Sequence, residues 1–156
     1  MTEARLGDFV ELSEAITGFS AVRLRGTGQA EEYQATVADV AGPDVLAALL
    51  DTWIVVREEA QGGGDLHELL NRYVFGDPHL GPIARNVIKM WYVGTWYQLP
   101  KEWLDAYGVR GRADMFTVSP TAYTEGLLWP AMGANPPGAK APGYASWTGP
   151  PRIGDD

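Results

Sequence analysis

The chain has 156 residues, 46% of them apolar, and a formal charge of −8, enough for one hydrophobic core and too little for two full domains. It contains no cysteine, which excludes disulfides, thiolate metal sites, iron–sulfur clusters and a cysteine nucleophile. The acidic balance is the wrong sign for neutralising phosphates, so nucleic acid and anionic membrane are poor partners, and no apolar run reaches the ~20 residues that direct membrane insertion requires.

Read in chain order, Phe9, Leu12 and Ile16 recur at helical spacing and Gly18 follows, which predicts a helix over 7–17 with a narrow apolar stripe. Tyr33, Val37 and Val40 repeat the pattern after Thr27, read as the N-cap, and Gly42-Pro43 ends that helix and opens the next. The helix from Pro43 to about residue 60 carries Val45, Leu46, Leu49, Leu50, Trp53, Ile54 and Val56 around much of its circumference, so it is expected at the centre of a bundle. After the Gln61-Gly62-Gly63-Gly64 break, Asp65 and Glu68 stand at capping-box spacing and start a short helix through Phe75. Gly81-Pro82 starts the last long helix, with Ala84, Val87, Ile88, Trp91, Thr95 and Leu99 on one face and Pro100 as its end. A short turn over Lys101 to Ala106 follows.

Residues 1–106 hold 16 acidic and 8 basic side chains, whereas 107–156 hold 4 of each and most of the proline. The fold class expected is therefore all-α: a small helical bundle over 1–106 followed by a long irregular Pro/Gly/aromatic C-terminal arm over 107–156, extended and suited to docking, within a single domain.

Catalytic and cofactor signals are thin. Gly26-Thr27-Gly28-Gln29-Ala30-Glu31 begins like a dinucleotide fingerprint, but Glu31 stands where the third glycine is needed and no βαβ alternation surrounds it, so no cofactor is expected on this chain. The two histidines, His67 and His79, lie near Asp65, Glu68 and Asp77 without His-x₃-His spacing, so no metal site is expected. No serine has a nucleophile-elbow setting, and the pairs Glu11/Glu14 and Glu58/Glu59 read as solvated charge. Trp91, Tyr92, Trp96, Tyr97 and Trp103 read mainly as core, with Trp91 inward and Tyr92, Trp96 or Tyr97 at the domain edge, and Gly94 among them suggests close approach by a neighbouring element. The expectation is no catalytic residue, with a small enzyme using His67 or His79 as the alternative from that class.

The arm carries the most unusual composition. Proline stiffens such a segment before it binds, and Trp and Tyr dominate interface energetics. The expected partner-binding residues are Tyr123, Leu128, Trp129, Pro130, Asn135, Pro136, Pro137, Lys140, Pro142, Tyr144 and Trp147.

Three stretches carry a family resemblance. Phe9-Val10-Glu11-Leu12-Ser13-Glu14-Ala15-Ile16-Thr17-Gly18 is similar to an F-x-x-L-S-x-x-L-T-G opening, Ala84 to Gly94 to an I-x-x-A-W-Y-x-G helix, and Tyr123 onward with Pro142-Gly143-Tyr144 to Trp147 to an aromatic P-G-[FYW] ending. In that order the three resemble the small subunits of flavoprotein sugar and alcohol dehydrogenases, the sorbitol, fructose and glucose dehydrogenase small-subunit family. The resemblance implies a non-catalytic accessory subunit that binds and stabilises a large FAD-binding subunit of the glucose–methanol–choline type. The flavin then sits on that partner, with a cytochrome c as a candidate electron acceptor of the complex. Many members carry a twin-arginine export signal, which implies a periplasmic complex. Met1 to Arg5 hold no signal-like stretch, which leaves a cytoplasmic location or export together with the partner or with a signal removed. A stand-alone helical protein-binding module is the alternative that needs no flavoprotein.

Overall fold

A computed structural model describes residues 2–109 and 114–133, with side chains from Arg5 onward. The fold is all-α, with the helices α1 (Thr2–Thr17), α2 (Ala21–Gly26), α3 (Ala30–Ala41), α4 (Pro43–Gln61) and α5 (Leu66–Leu70), the last widening into a π turn over Asn71–Phe75. They are followed by α6 (Gly81–Val93), α7 (Lys101–Tyr107), α8 (Pro120–Thr124) and α9 (Leu128–Ala131). Among the described residues the only sheet is a two-residue antiparallel pair, β1 (Thr95–Trp96) against β2 (Phe116–Thr117), with Thr95 opposite Thr117 and Trp96 opposite Phe116.

The first helix begins earlier than its periodicity suggests and buries a broader stripe, because Val10 and Ser13 are buried beside Phe9 and Leu12. Its carboxylates are structural as well as solvated. Glu11 accepts from Trp53 Nε1 at 3.3 Å and from Arg57 at 2.6 Å, tying α1 to α4. Glu14 accepts the Ala21 N–H at 3.1 Å and so helps start α2, a helix whose six residues are too few to show a repeat. Thr27 is not the N-cap of α3. Its hydroxyl donates to the Leu24 carbonyl and accepts from the Gln29 N–H, which closes the end of α2 and turns the chain into α3.

Proline at the start of α4 and Asp65 before α5 act as the sequence predicts, Asp65 accepting the Glu68 N–H at 3.1 Å. Glu68 completes no capping box, since its carboxylate accepts from Arg72 at 2.6 Å. The centre of the bundle is α6 rather than α4. Its Ile83, Ala84, Val87, Met90 and Trp91 are essentially inaccessible, and it packs against α1, α3, the π turn, β1, α8 and α9. α4 keeps an exposed face that includes Asp51 and a half-exposed Val55.

The predicted helix to Leu99 stops at Gly94, which adopts φ +67° as the helix C-cap. The chain then doubles back. Asn86, buried on α6, donates to the Tyr97 carbonyl at 2.9 Å and accepts the Tyr97 N–H at 3.2 Å, holding β1 alongside the helix. This places Trp96 wholly inside, whereas Tyr92 and Tyr97, the other two candidates for the domain edge, are partly exposed. Lys101–Tyr107 is a true helix, fastened by Trp103 Nε1 donating to the His79 carbonyl at 2.8 Å.

The largest departure concerns the arm. Its residues 116–131 are not extended: they form β2, α8 and α9 and fold back on α6. Pro120 occupies the first turn of α8, where no N–H is needed, and Ser119 caps that helix through the Ala122 N–H at 3.0 Å. Ala122 and Leu127 are buried in the common core, the Leu127 N–H donates to the Trp91 carbonyl at 2.9 Å, and the Val118 N–H donates to the Gly94 carbonyl at 2.8 Å. A side chain on Gly94 would sit 2.5 Å from the Ala122 carbonyl, and one on Gly126 would sit 2.6 Å from the Tyr92 carbonyl. The close approach expected at Gly94 is therefore made by the arm.

Candidate docking surface

The turn between α8 and α9, locked to α6 by Leu127, presents an aromatic pair. Tyr123 and Trp129 meet edge to face with ring centroids 5.7 Å apart, and Trp129 Nε1 donates to the Tyr123 carbonyl at 3.0 Å. The bond fixes the indole while leaving Tyr123 38% and Met132 63% exposed, with Pro130 exposed and Leu128 and Trp129 partly so. A rigid aromatic with its polar atom already satisfied loses little entropy and no hydrogen bond when another surface covers it. Of the expected partner-binding residues, Tyr123, Leu128, Trp129 and Pro130 thus share one turn. Asn135, Pro136, Pro137, Lys140, Pro142, Tyr144 and Trp147 lie outside the described residues.

Beside this turn lies α2. A cleft between them is lined by Arg23, Gly26 and Thr27 on one side and by Glu125, Gly126, Leu127 and Pro130 on the other. Val22 is 83% exposed on α2, and Phe19, just before it, contacts Tyr92 with centroids 5.5 Å apart. Phe19, Val22 and Arg23 belong to none of the motifs that point to a partner. The available signal was a stretch from Ala15 to Ala30 that contains no carboxylate in an otherwise acidic chain.

The positions considered for chemistry are held in other ways. Gly26-Thr27-Gly28 joins two helices rather than a strand and a helix, so its setting is not that of a dinucleotide fingerprint. His67 is exposed on α5, whereas His79 is half-buried, stacked on Tyr107 at 3.8 Å and near Trp103 at 5.6 Å. Asp77 is engaged through its carboxylate by the backbone N–H groups of His79 and Leu80. Among the described residues no group of three or more His, Asp or Glu is placed to hold a metal ion. Tyr33 has its phenol pushed well above the usual tyrosine range by burial, and further by the nearby charges of Glu32 and Glu125. Its ring is wholly buried, edge-on to Trp91 at 4.8 Å, so it is a core group that stays protonated.

No family model, curated protein or solved structure matches this chain.

Proposed function

We propose that the chain is a non-catalytic accessory subunit that docks onto and stabilises a large FAD-dependent sugar or alcohol dehydrogenase subunit of the glucose–methanol–choline type, through the surface around Tyr123 and Trp129. The observation that carries the docking part is the pre-set aromatic pair on a turn anchored to the core, next in the chain to exposed Pro130 and Met132. The flavoprotein partner comes from the sequence resemblance. Of the stretches that carry it, the first two touch, with Phe9 6.4 Å from Trp91, and the Tyr123 nitrogen that opens the third lies against Gly94 of the second, while Pro142 to Trp147 lie outside the described residues.

The test is co-expression with an FAD-binding large subunit of the glucose–methanol–choline type. The expected result is a stoichiometric complex whose flavin absorbance follows the large subunit when the two are separated. Truncating a hot-spot indole removes about 2 kcal/mol or more of binding, roughly a 30-fold loss of affinity, so Trp129→Ala is expected to weaken the complex by that factor. Failure of the two chains to co-purify would refute the reading. Equal affinity of wild type and a Trp129→Ala, Tyr123→Ala double variant would move the docking site elsewhere.

A further inference from the structure

Among the described residues, the arginines and lysines are held in different ways, and Arg25 is exposed with neither an ion pair nor a ring beneath it. Arg5, Arg57, Arg72 and Lys101 are paired with carboxylates. Arg23, Arg85 and Lys89 are in no ion pair among the described residues, and each lies over an aromatic ring instead: Arg23 over Phe19 at 5.6 Å, Arg85 over Phe75 at 5.6 Å and Lys89 over Tyr97 at 4.8 Å.

These three come from the parts of the chain that hold no acid. No Asp or Glu occurs between Glu14 and Glu31, or between Asp77 and Glu102. The fold joins the two segments. Arg85, Lys89 and Tyr92 stand at i, i+4 and i+7 and so share one face of α6, and Tyr92 touches Phe19, over which Arg23 lies. The result is a strip of exposed cations on half-buried rings that runs along α6 and onto α2, toward the Tyr123–Trp129 turn. Glu125, which lines the cleft beside Arg23, and Glu14, which accepts the Ala21 N–H, are carboxylates at that end.

Resting on the accessory-subunit reading, we infer that this strip is the electrostatic half of the docking surface, and that it takes a carboxylate-rich patch of the flavoprotein partner while the Trp129 turn supplies the apolar half. A cation held over a ring and lacking an acid partner can meet a carboxylate without breaking an existing pair. A protein surface is favoured over a polyanion because the large apolar side chains Val22, beside Arg23 in the chain, and Tyr123 and Met132, around the Trp129 turn, are exposed and suit an apolar protein contact rather than phosphates.

Charge complementarity of this kind acts mainly on the association rate and is screened by salt. The experiment measures association of the co-expressed, purified flavoprotein subunit with immobilised full-length chain at low and at physiological salt. Arg23→Glu, Arg85→Glu and Lys89→Glu combined are expected to lower the low-salt association rate at least about tenfold and to flatten its salt dependence. The control Lys101→Glu, on a cation already paired with Asp105, should leave the rate within about twofold. The corresponding glutamine triple variant, with melting compared to wild type, separates loss of charge from misfolding. A triple variant that associates like wild type overturns the inference and leaves the accessory-subunit reading intact. No complex with the wild-type chain overturns both. Wild-type retention on single-stranded DNA or phosphatidylserine vesicles at physiological salt, lost in the triple variant, would assign the strip to a polyanion and overturn the protein partner.

Discussion

Replacing Gly94 by alanine tests how firmly the arm belongs to the core. The residue adopts φ +67°, which costs an L-residue about 1–2 kcal/mol. The added methyl would lie 2.5 Å from both the Ala122 carbonyl carbon and its oxygen and 2.8 Å from the Tyr123 nitrogen, all backbone atoms that cannot rotate away. Overpacking of that kind costs about 1–3 kcal/mol when the neighbours absorb it. If the arm lifts off instead, it gives up most of the burial of Leu127, about 1.5–3 kcal/mol, and the two bonds to the Trp91 and Gly94 carbonyls, about 1 kcal/mol each. The first route sums to about 2–5 kcal/mol and the second to about 3.5–5 kcal/mol, so the loss centres near 4 kcal/mol, or a fall in Tm of about 10 °C for a chain of this size. Gly28→Ala is the internal control, because Gly28 has φ +74° with nothing within 4 Å of the new methyl, so it feels the backbone strain alone. Urea denaturation and thermal melting of both variants give the difference. If Gly94→Ala proves no more destabilising than Gly28→Ala, the contact between α6 and the arm does not exist as described.

Two further outcomes follow from the same geometry. Leu127→Ala should destabilise the chain by about 2–4 kcal/mol, and a chain ending at Ser119, which also loses Ala122, should be less stable still; a truncated chain that melts like the full-length protein would contradict the buried placement of both residues. Tyr33 has a folded pKa raised above its unfolded value, so the stability it contributes is intact below pH ~10 and is lost as pH rises toward the folded pKa, because the unfolded phenol ionises first. Unfolding free energy should therefore fall more steeply above pH ~10 in wild type than in Tyr33→Phe, and parallel curves would refute the buried, protonated phenol.

The helices that begin at Pro43, Asp65 and Gly81 were legible because each opens on a residue whose backbone chemistry marks a start: proline in the first turn, an aspartate that accepts a backbone N–H two or three residues on, and a glycine–proline pair. The end of α6 was not, since Thr95 and Leu99 continue the helical spacing beyond the break. What stops the helix is Gly94 together with the Asn86 amide capturing Tyr97, and a contact made after the chain reverses leaves no local trace. The arm misled for a related reason. Its proline content describes an isolated segment well, yet Pro120 and Pro130 sit in first turns where they support short helices, and those helices form because α6 offers Trp91, Tyr92 and Gly94 as a surface. Of the candidate site, the aromatic anchors could be read from composition. Their neighbours Phe19, Val22 and Arg23 lie in a stretch marked only by its lack of carboxylates, and it is the fold that brings α2 alongside the arm.

Because the Tyr123–Trp129 pair is carried by a turn that Leu127 pins to Trp91, stability and docking share one structural element. A partner that grips Trp129 only while the turn is closed adds its binding free energy to the closed state, and by the same linkage a loosened turn presents the indole for a smaller fraction of the time. Leu127→Ala and Gly94→Ala therefore weaken affinity without touching the partner, by the fraction of chains whose arm has lifted. The charge variants on α2 and α6 behave differently, because Arg23, Arg85 and Lys89 are exposed and in no ion pair among the described residues, so reversing them leaves the turn closed. Measured side by side, the first pair should lower melting temperature and affinity together, and the charge set should lower the association rate alone. That separation distinguishes a preorganised anchor with an electrostatic flank from a tail whose aromatic residues bind independently of the fold beneath them.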